Sequence, residues 1–266
     1  MQRIGLLTAV LVACQPPPEV CVPLEEVNQT PALSLAINDV PGSFILDTGL
    51  LFLLLNPAWK AQGFPETEAV EYRMWGKPHT AWLVDSPRLS VGGTALSAVL
   101  STEWALLSQE KSWCYDKDDQ QGCDGIVGGV ALGHVARQIR HERSGEVCLT
   151  EGPCRNLLPL RSPLPVVEAE VEGQTMTFLF DSGAIYTRAF HQMAAATPDI
   201  IVPGLPEPLI GRETPPEELE RLFQTRTLNG IEFDGVIGWE DIKRTLWRWN
   251  PCKGIVEFHG YIERAE

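Results

Sequence analysis

The internal repeat is the feature that most constrains the fold of this 266-residue chain, because four motifs occur twice in the same order. Residues 32–49 and 165–183 each read as a strand, a turn and a second strand that ends in Asp-Thr/Ser-Gly. Each half then carries an Asp-Gly-aliphatic-aliphatic-Gly string, at 124–128 and 234–238, followed by a short helix-like stretch and an apolar strand. The sequence therefore predicts two similar, β-rich units within one chain.

The residues around the two Asp-Thr/Ser-Gly copies make the motif more specific, since the tripeptide alone is a weak motif. Apolar triplets precede both copies, Phe44-Ile45-Leu46 in the first half and Phe178-Leu179-Phe180 in the second. This combination resembles the pepsin-like and retropepsin-like aspartic proteases, in which two similar lobes each contribute one Asp-containing loop to a shared cleft. The resemblance covers about residues 30–260, and its compact spacing is closer to a fused tandem of retropepsin-like units than to a full-length pepsin.

The resemblance implies an all-β, bilobal pepsin-like fold, with two β-barrel-like lobes, short helices and a cleft between the lobes. The expected N-terminal lobe is residues 31–158 and the expected C-terminal lobe is residues 159–266, joined through the Pro-rich stretch 158–165. Because one chain supplies both half-sites, a monomer is expected to suffice.

The resemblance assigns the chemistry to Asp47 and Asp181. Two carboxyl groups held close together in a partly dry cleft share one proton, so one serves as an acid and the other as a base. The ionised carboxylate would take a proton from a water, while the protonated one donates to the scissile carbonyl oxygen. The expected activity is hydrolysis of peptide or protein substrates at bonds flanked by apolar residues, with no metal or other cofactor.

The residues beside each Asp have separable expected roles. Gly49 and Gly183 allow a sharp turn and leave backbone N–H groups free to point at the carboxylates. Thr48 and Ser182 carry small hydroxyls that, in the family, tie the two loops together across the lobe interface. These four residues complete the expected active-site loops.

Leu50 departs from the family pattern, in which Ser, Thr or Ala generally follows the Asp-Thr/Ser-Gly tripeptide. The second loop conforms with Ala184. A hydroxyl at this position would help to hold the ionised carboxylate by hydrogen bonding. Leu50 either narrows the cleft beside the reactive group or packs into the lobe core, and the sequence leaves both alternatives open.

Other acidic residues have structural interpretations. Asp124 and Asp234 begin the two Asp-Gly strings, and Asp-Gly is a common turn pair. The acidic run 116–119 lacks the Gly placement and the terminal Glu of a calcium loop, so a solvated turn is favoured.

Residues 70–82 lie where the family places its flap hairpin, with Trp75 and Gly76 at or near the tip. A flap covers the substrate and excludes water. Tyr72 or Trp75 is the candidate for the aromatic residue that contacts substrate. The alternative is an exposed hairpin with two packed aromatic rings.

The N-terminal residues indicate export. An apolar run of nine residues, 4–12, is too short to span a bilayer and ends in Leu-Val-Ala-Cys14, which resembles the lipobox of bacterial lipoproteins. We therefore expect a signal peptide at 1–13, lipidation of Cys14 and a Pro-rich tether at 14–30, with the protein held on an extracytoplasmic face of the bacterial cell envelope. The alternative is an ordinary signal peptide with an incidental cysteine.

The cysteines also favour an oxidising compartment. The chain has seven, and six remain if Cys14 carries lipid. Short spacings suggest the pairs Cys114–Cys123 and Cys148–Cys154, which leaves Cys21–Cys252, although six thiols permit fifteen connectivities. A zinc site is the weaker alternative, because the sequence contains no Cys-x-x-Cys and no histidine pair at ligand spacing.

The charge balance argues against nucleic acid as a partner, because the formal net charge is −14 and no basic stripe is present. The expected partners are a peptide or protein substrate and the membrane that holds the lipid. A rival function is a catalytically silent lipoprotein that keeps the fold and binds a peptide, a polysaccharide or a partner protein. Leu50 favours this rival, whereas the two intact Asp loops favour an enzyme, since binding alone does not require two converging carboxyls.

Overall fold

The structure, a computed structural model, describes residues 18–64, 67–74, 77–93, 96–100, 105–109, 122–152, 154, 164–190, 198–212, 227–228 and 231–262. Strands dominate these residues, so the expected all-β class is confirmed. The strands of the first half are β1 (Glu19–Val27), β2 (Thr30–Ile37), β3 (Val40–Asp47), β4 (Leu53–Leu55), β5 (Ala69–Met74), β6 (Lys77–Leu83), β7 (Arg88–Val91), β8 (Leu96–Val99), β9 (Ala105–Ser108), β10 (Gly125–Gly128), β11 (Ala136–His141) and β12 (Glu146–Glu151).

The second half continues the same pattern, and helices are short in both halves. Its strands are β13 (Val166–Val171), β14 (Gln174–Phe180), β15 (Arg188–Ala189), β16 (Asp199–Ile201), β17 (Leu209–Ile210), β18 (Thr227–Leu228), β19 (Ile231–Glu232), β20 (Gly235–Ile237), β21 (Thr245–Asn250) and β22 (Ile255–Tyr261). The helical turns are a 3₁₀-helix at Pro57–Gln62, α1 (Gly129–Leu132) and α2 (Trp239–Ile242). Among the described residues, no helix is long and apolar enough to cross a bilayer.

The repeat seen in the sequence corresponds to a repeat in strand pairing. β2 and β3 form an antiparallel hairpin, as do β13 and β14, and positive φ angles in both two-residue turns match the twist of the strands. β3 then runs parallel to β10, and β14 runs parallel to β20. The strand that leads into each Asp-Thr/Ser-Gly motif is therefore held by the strand of the Asp-Gly string in the same half.

Asp124 and Asp234 hold these parallel pairs in place. A carboxylate oxygen of Asp124 accepts a hydrogen bond from the backbone N–H of Ser43 at 2.8 Å, and Asp234 accepts one from Thr177 at 2.9 Å. Both acceptors lie just before β10 and β20 and bond the strand beside them. Their expected structural role is confirmed.

The two halves share one sheet, because β11 of the first half pairs with β21 of the second, with Ile139 opposite Trp249. Twenty of the strands named above are hydrogen-bonded into this mixed sheet, while β18 and β19 pair with each other. The apolar face of the shared region is buried, and Trp247 and Trp249 are among its largest fully buried side chains. This shared sheet fixes the position of one half against the other.

The prediction of a tether at 14–30 is corrected for residues 19–27, which form β1. Residues 19–23 of this strand pair with β12, and residues 24–27 pair with β2. Its burial pattern is irregular, because only Val22 is fully buried and most of its side chains face solvent. The expected signal peptide at 1–13 and the lipidated Cys14 lie outside the described residues.

Two predicted disulfide pairs, Cys148–Cys154 and Cys21–Cys252, are wrong. The bonds are Cys21–Cys148 and Cys154–Cys252. The physical reason for the first is the register of β1 and β12, which places Cys21 directly opposite Cys148. Cys123 is also disulfide-bonded, whereas Cys114 lies outside the described residues, so that pairing stays a prediction.

Candidate active site: two facing carboxyl groups

The Asp47 and Asp181 loops are local copies of each other. Asp47 is the last residue of β3, and Asp181 directly follows β14. In each loop the backbone N–H three residues later, of Leu50 or Ala184, donates to the carbonyl oxygen of the aspartate at 3.2 Å. Each loop therefore turns back at once, and its carboxyl group lies at the end of a buried strand.

The glycines let the two loops approach each other. A Cβ atom built on Gly49 would lie 2.8 Å from Cγ of Asp181, and one built on Gly183 would lie 2.5 Å from Cγ of Asp47. Real Cβ atoms essentially never come this close to another heavy atom. Each carboxyl group is therefore seated against the glycine of the opposite loop, which explains why glycine is required at both positions.

Thr48 and Ser182 connect the loops through four hydrogen bonds, and both residues are fully buried. The hydroxyl of Thr48 donates to the carbonyl of Phe180 at 2.6 Å and accepts from the Ser182 N–H at 2.9 Å. The hydroxyl of Ser182 donates to the carbonyl of Leu46 at 2.7 Å and accepts from the Thr48 N–H at 3.1 Å. Each hydroxyl thus bonds the backbone of the opposite loop, as the family resemblance implied.

Backbone N–H groups also hold the carboxylates. The Leu50 N–H donates to Oδ1 of Asp47 at 3.0 Å. Oδ1 of Asp181 accepts from the N–H groups of Gly183 at 2.9 Å and Ala184 at 3.3 Å. Hydrogen bonds of this kind favour the charged form of a carboxyl group, so each carboxylate has a fixed orientation and local support for a negative charge.

The raised pKa values of Asp47 and Asp181 nevertheless indicate that the two carboxyl groups share a proton. Burial raises the pKa of Asp47 well above its usual value, and the charge of Asp181 and the hydrogen bond that the protonated Asp47 carboxyl donates to Asp181 add to the rise. Burial also raises the pKa of Asp181, against the lowering effect of its hydrogen bonds. Two such groups in contact titrate as one pair, in which one member stays protonated while the other is ionised.

Leu50 packs into an apolar cluster of the first half. Its side chain is buried in a small apolar cluster of the first half that includes Ile45, Leu54, Tyr72 and Ile126. Of the two alternatives that the sequence left open, packing into the core is the one observed. The bulk of Leu50 is therefore accommodated, while its N–H supports Asp47.

The hairpin of β5 and β6 occurs where the flap was expected, with Tyr72 opposite His79. The ring of Tyr72 stacks on His79 at 5.4 Å and meets the edge of Phe52 at 5.6 Å. Tyr72 is thereby packed against the strand segment that follows the Asp47 loop. Trp75 and Gly76 lie outside the described residues, so the flap role of this hairpin stays a prediction.

Sequence reasoning missed two aromatic residues at matching positions. Phe52 is the fifth residue after Asp47, and Tyr186 is the fifth residue after Asp181. Alignment of the two halves on their aspartates would have paired them. The structure adds what no alignment contains, namely that the guanidinium of Arg212 lies 3.6 Å from the centre of the Tyr186 ring.

The described residues include one group with metal-ligand spacing, Glu19, Cys21 and Cys148. Both sulfurs belong to the disulfide between β1 and β12. Thiolates are the form in which cysteine binds metals, so this group is not a metal site while that bond is intact.

Comparison with known proteins does not identify a family for the chain. No protein-family model matches it, and no curated protein matches it. The repeated motifs and the geometry of the two carboxyl groups are therefore the basis for assigning a function.

Proposed function

We propose that the protein is an aspartic endopeptidase with a bilobal pepsin-like architecture. The observation that carries this proposal is the pair Asp47 and Asp181, each of which is seated against the glycine of the opposite loop. A binding protein gains nothing from forcing two half-buried carboxyls together, because the arrangement costs stability unless a proton is shared. Strained titratable pairs of this kind are typical of catalytic sites.

In the proposed mechanism the pair holds one proton before the substrate arrives. The ionised carboxylate takes a proton from a water positioned between Asp47 and Asp181, and the water oxygen attacks the scissile carbonyl carbon. The protonated carboxyl donates to the carbonyl oxygen as the carbonyl carbon becomes tetrahedral. When this gem-diol intermediate collapses and the C–N bond breaks, the carboxyl that took the water proton passes it to the leaving nitrogen. The other carboxylate takes the proton of one hydroxyl, so the products are an amine and a carboxylic acid, and the pair again holds one proton.

The rigidity of the loops supports this assignment. The mutual bonds of Thr48 and Ser182 hold two backbones whose motifs are 134 residues apart in the chain. Acid–base catalysis depends on such positioning, because the donor and acceptor must lie within hydrogen-bond reach of the reacting atoms. The β5–β6 hairpin over the first loop would supply the cover that keeps bulk water out.

The proposed location is the extracytoplasmic side of a bacterial membrane, with lipid on Cys14. Two disulfides in the described residues are consistent with an oxidising compartment. The first strand begins at Glu19, five positions after Cys14 in the sequence. The protease would therefore act close to the membrane surface.

The direct test is cleavage of a mixed peptide library by the full-length, disulfide-bonded chain between about pH 3 and pH 7, read by mass spectrometry. Asp47→Asn and Asp181→Asn should each lower the turnover rate by about 10²–10⁴-fold, because neither variant can share a proton between two carboxyls. Asp199→Asn is the matched control, since Asp199 is exposed on β16 and should keep full activity.

Turnover that persists in either purified aspartate variant would contradict the mechanism. A folded parent protein that cleaves nothing in the library would instead favour the rival, a silent binding protein with the same fold. Pepstatin adds a second measurement, because an inhibitor that binds only the native state raises the melting temperature by an amount that grows with the ratio of its concentration to its Kd. The rise should occur in the parent and be lost in Asp181→Asn.

A further inference from the structure

Phe52 and Tyr186 occupy equivalent places in the two halves. Each is the fifth residue after its aspartate, and each lies against the last glycine of the Asp-Gly string. The Gly128 N–H donates to the carbonyl of Phe52 at 3.0 Å, and a Cβ built on Gly238 would lie 2.5 Å from the carbonyl oxygen of Tyr186. The backbones of the two aromatic residues therefore take equivalent positions beside the Asp-Gly strings of the two halves.

Tyr186 is close enough to the carboxyl pair to meet a bound peptide. The Ala184 N–H lies 3.3 Å from Oδ1 of Asp181. Tyr186 is two residues further on, and two residues span at most about 7 Å. An extended peptide rises about 3.3 Å per residue. The backbone of Tyr186 thus lies within about 10 Å of Oδ1 of Asp181, a distance that two or three residues of an extended substrate would cover.

The surroundings of the two aromatic residues differ in chemistry. Phe52 packs against the ring of Tyr72 within an apolar cluster. Among the described residues, Tyr186 belongs to none of the apolar clusters and instead meets two cations, with Arg212 at 3.6 Å and Arg188 at 5.8 Å from its ring centre. One side of the site is thus apolar, whereas the other side is aromatic and positively charged.

Arg212 has a charge that is available to a ligand. Its residue is exposed, and its backbone N–H donates to the carbonyl of Thr187 at 2.9 Å, which holds it beside Tyr186. The nearby carboxylate of Glu240 is already bonded to Lys243 at 3.0 Å and to Arg244 at 3.4 Å. Within the part of the chain that the structure describes, the Arg212 guanidinium has no ion-pair partner within 4 Å.

We infer, on the basis of the proposed peptidase function, that Arg212 is a specificity-determining residue. It selects substrates with an acidic side chain about two or three residues from the scissile bond, on the side bound by the second half. The Tyr186 ring holds the guanidinium by a cation–π contact, so its N–H groups can bind a carboxylate in the bidentate geometry that arginine favours. The apolar cluster around Phe52 accepts an uncharged residue on the other side of the bond.

The test uses matched peptides that differ only by Glu or Gln, placed in turn at the second and third residues on either side of one scissile bond. For the parent chain, kcat/KM should be about tenfold higher with Glu at one or both positions on one side only, because a charge-assisted hydrogen bond is worth about one factor of ten. The gain should appear mainly in KM and should shrink as the salt concentration rises.

Arg212→Gln should remove the preference while cleavage of the Gln peptides continues, and Arg212→Lys should restore part of it. Tyr186→Ala should weaken the preference, since the guanidinium loses its support, whereas Tyr186→Phe should keep it. Arg248→Gln is the matched control, because Arg248 is an exposed arginine on β21 with no ion pair among the described residues. This variant removes the same charge elsewhere and should retain the preference.

The outcomes separate the two proposals. Equal cleavage of the Glu and Gln peptides by the parent, or a preference that survives in Arg212→Gln, overturns the role of Arg212 and leaves the peptidase intact. Absence of cleavage by the folded parent on every peptide overturns the peptidase and the specificity with it. Asp181→Asn, run beside them, distinguishes cleavage by this site from a contaminating protease.

Discussion

At the scale of single residues, the short distance between the two carboxyl groups depends on Gly49 and Gly183, because neither residue has a side chain. A methyl group on Gly183 would meet the Asp47 carboxyl at 2.5 Å, and one on Gly49 would meet Asp181 at 2.8 Å. Either methyl would push the two loops apart. The glycines thus allow the carboxyls to come close enough to share a proton, which is the property that separates this pair from two ordinary acidic residues.

The shared proton has a consequence for stability. Burial raises the pKa of Asp181 above that of an aspartate in the unfolded chain, so the native state binds the proton more tightly. Stability should therefore be highest below the unfolded pKa of about 3.9 and should fall as the pH rises through the native pKa. Asp181→Asn removes this loss, so its melting temperature should exceed that of the parent at pH 7 and approach it at pH 3.

Thermal unfolding of the parent and of Asp181→Asn at pH 3 and pH 7 checks the direction of this difference in melting temperature. Asp199→Asn serves again as the control, because it removes an exposed carboxyl group that lies outside the pair. A variant that is less stable than the parent at pH 7 would mean that the Asp181 charge is stabilised by its N–H donors more than it is opposed by burial.

The sequence was sufficient to predict most of this site at the residue scale. Asp47, Asp181 and their glycines, together with Thr48 and Ser182, were identified from a repeat, because the chemistry requires the same tripeptide twice. The position of Leu50 could not be predicted, since its direction depends on the cluster formed by other strands. Arg212 was also missed, because it is 26 residues from Tyr186 in sequence and is brought there by a hydrogen bond to Thr187.

At the scale of elements, the hydroxyls of Thr48 and Ser182 hold the ends of β3 and β14 together. Thr48→Val keeps the side-chain shape but leaves the Phe180 carbonyl without its donor and the Ser182 N–H without its acceptor. An unsatisfied buried polar group costs about 1–3 kcal/mol. We expect Thr48→Val to lower the free energy of unfolding by at least this amount, measured by urea denaturation, and to lower activity as the loops loosen.

Thr80→Val is the matched control for this substitution, because Thr80 is exposed on β6 and valine suits a strand. Its effect should stay within about 0.5 kcal/mol. Equal effects of the two substitutions would show that the buried hydroxyl contributes little to the junction of the loops.

Element prediction failed where the hydrophobic alternation was weak. β1 was interpreted as part of a tether, because prolines surround it and most of its side chains face solvent. Strand prediction relies on alternate buried positions, and β1 offers one fully buried residue, Val22. The same error led to the wrong partner for Cys21, since that partner follows from the pairing of β1 with β12.

At the scale of the whole molecule, the two halves are joined by the β11–β21 pairing and by the Cys154–Cys252 bond, which closes a separation of 98 residues. Cross-links of this length typically stabilise a protein by about 2–4 kcal/mol. The double variant Cys154→Ala, Cys252→Ala should lose about that much free energy of unfolding.

Peptide mapping without reduction should recover the Cys21–Cys148 and Cys154–Cys252 pairs, and a Cys148–Cys154 peptide would contradict the structure.

The separation of Thr48 from Ser182 also has a consequence in time. A ribosome adds about 5–20 residues per second, so the 134 residues between the two hydroxyls take roughly 7 to 27 s to synthesise. During that interval the nascent chain carries Asp47 without its partner. The two carboxyl groups therefore cannot share a proton until the second motif has been synthesised and has met the first.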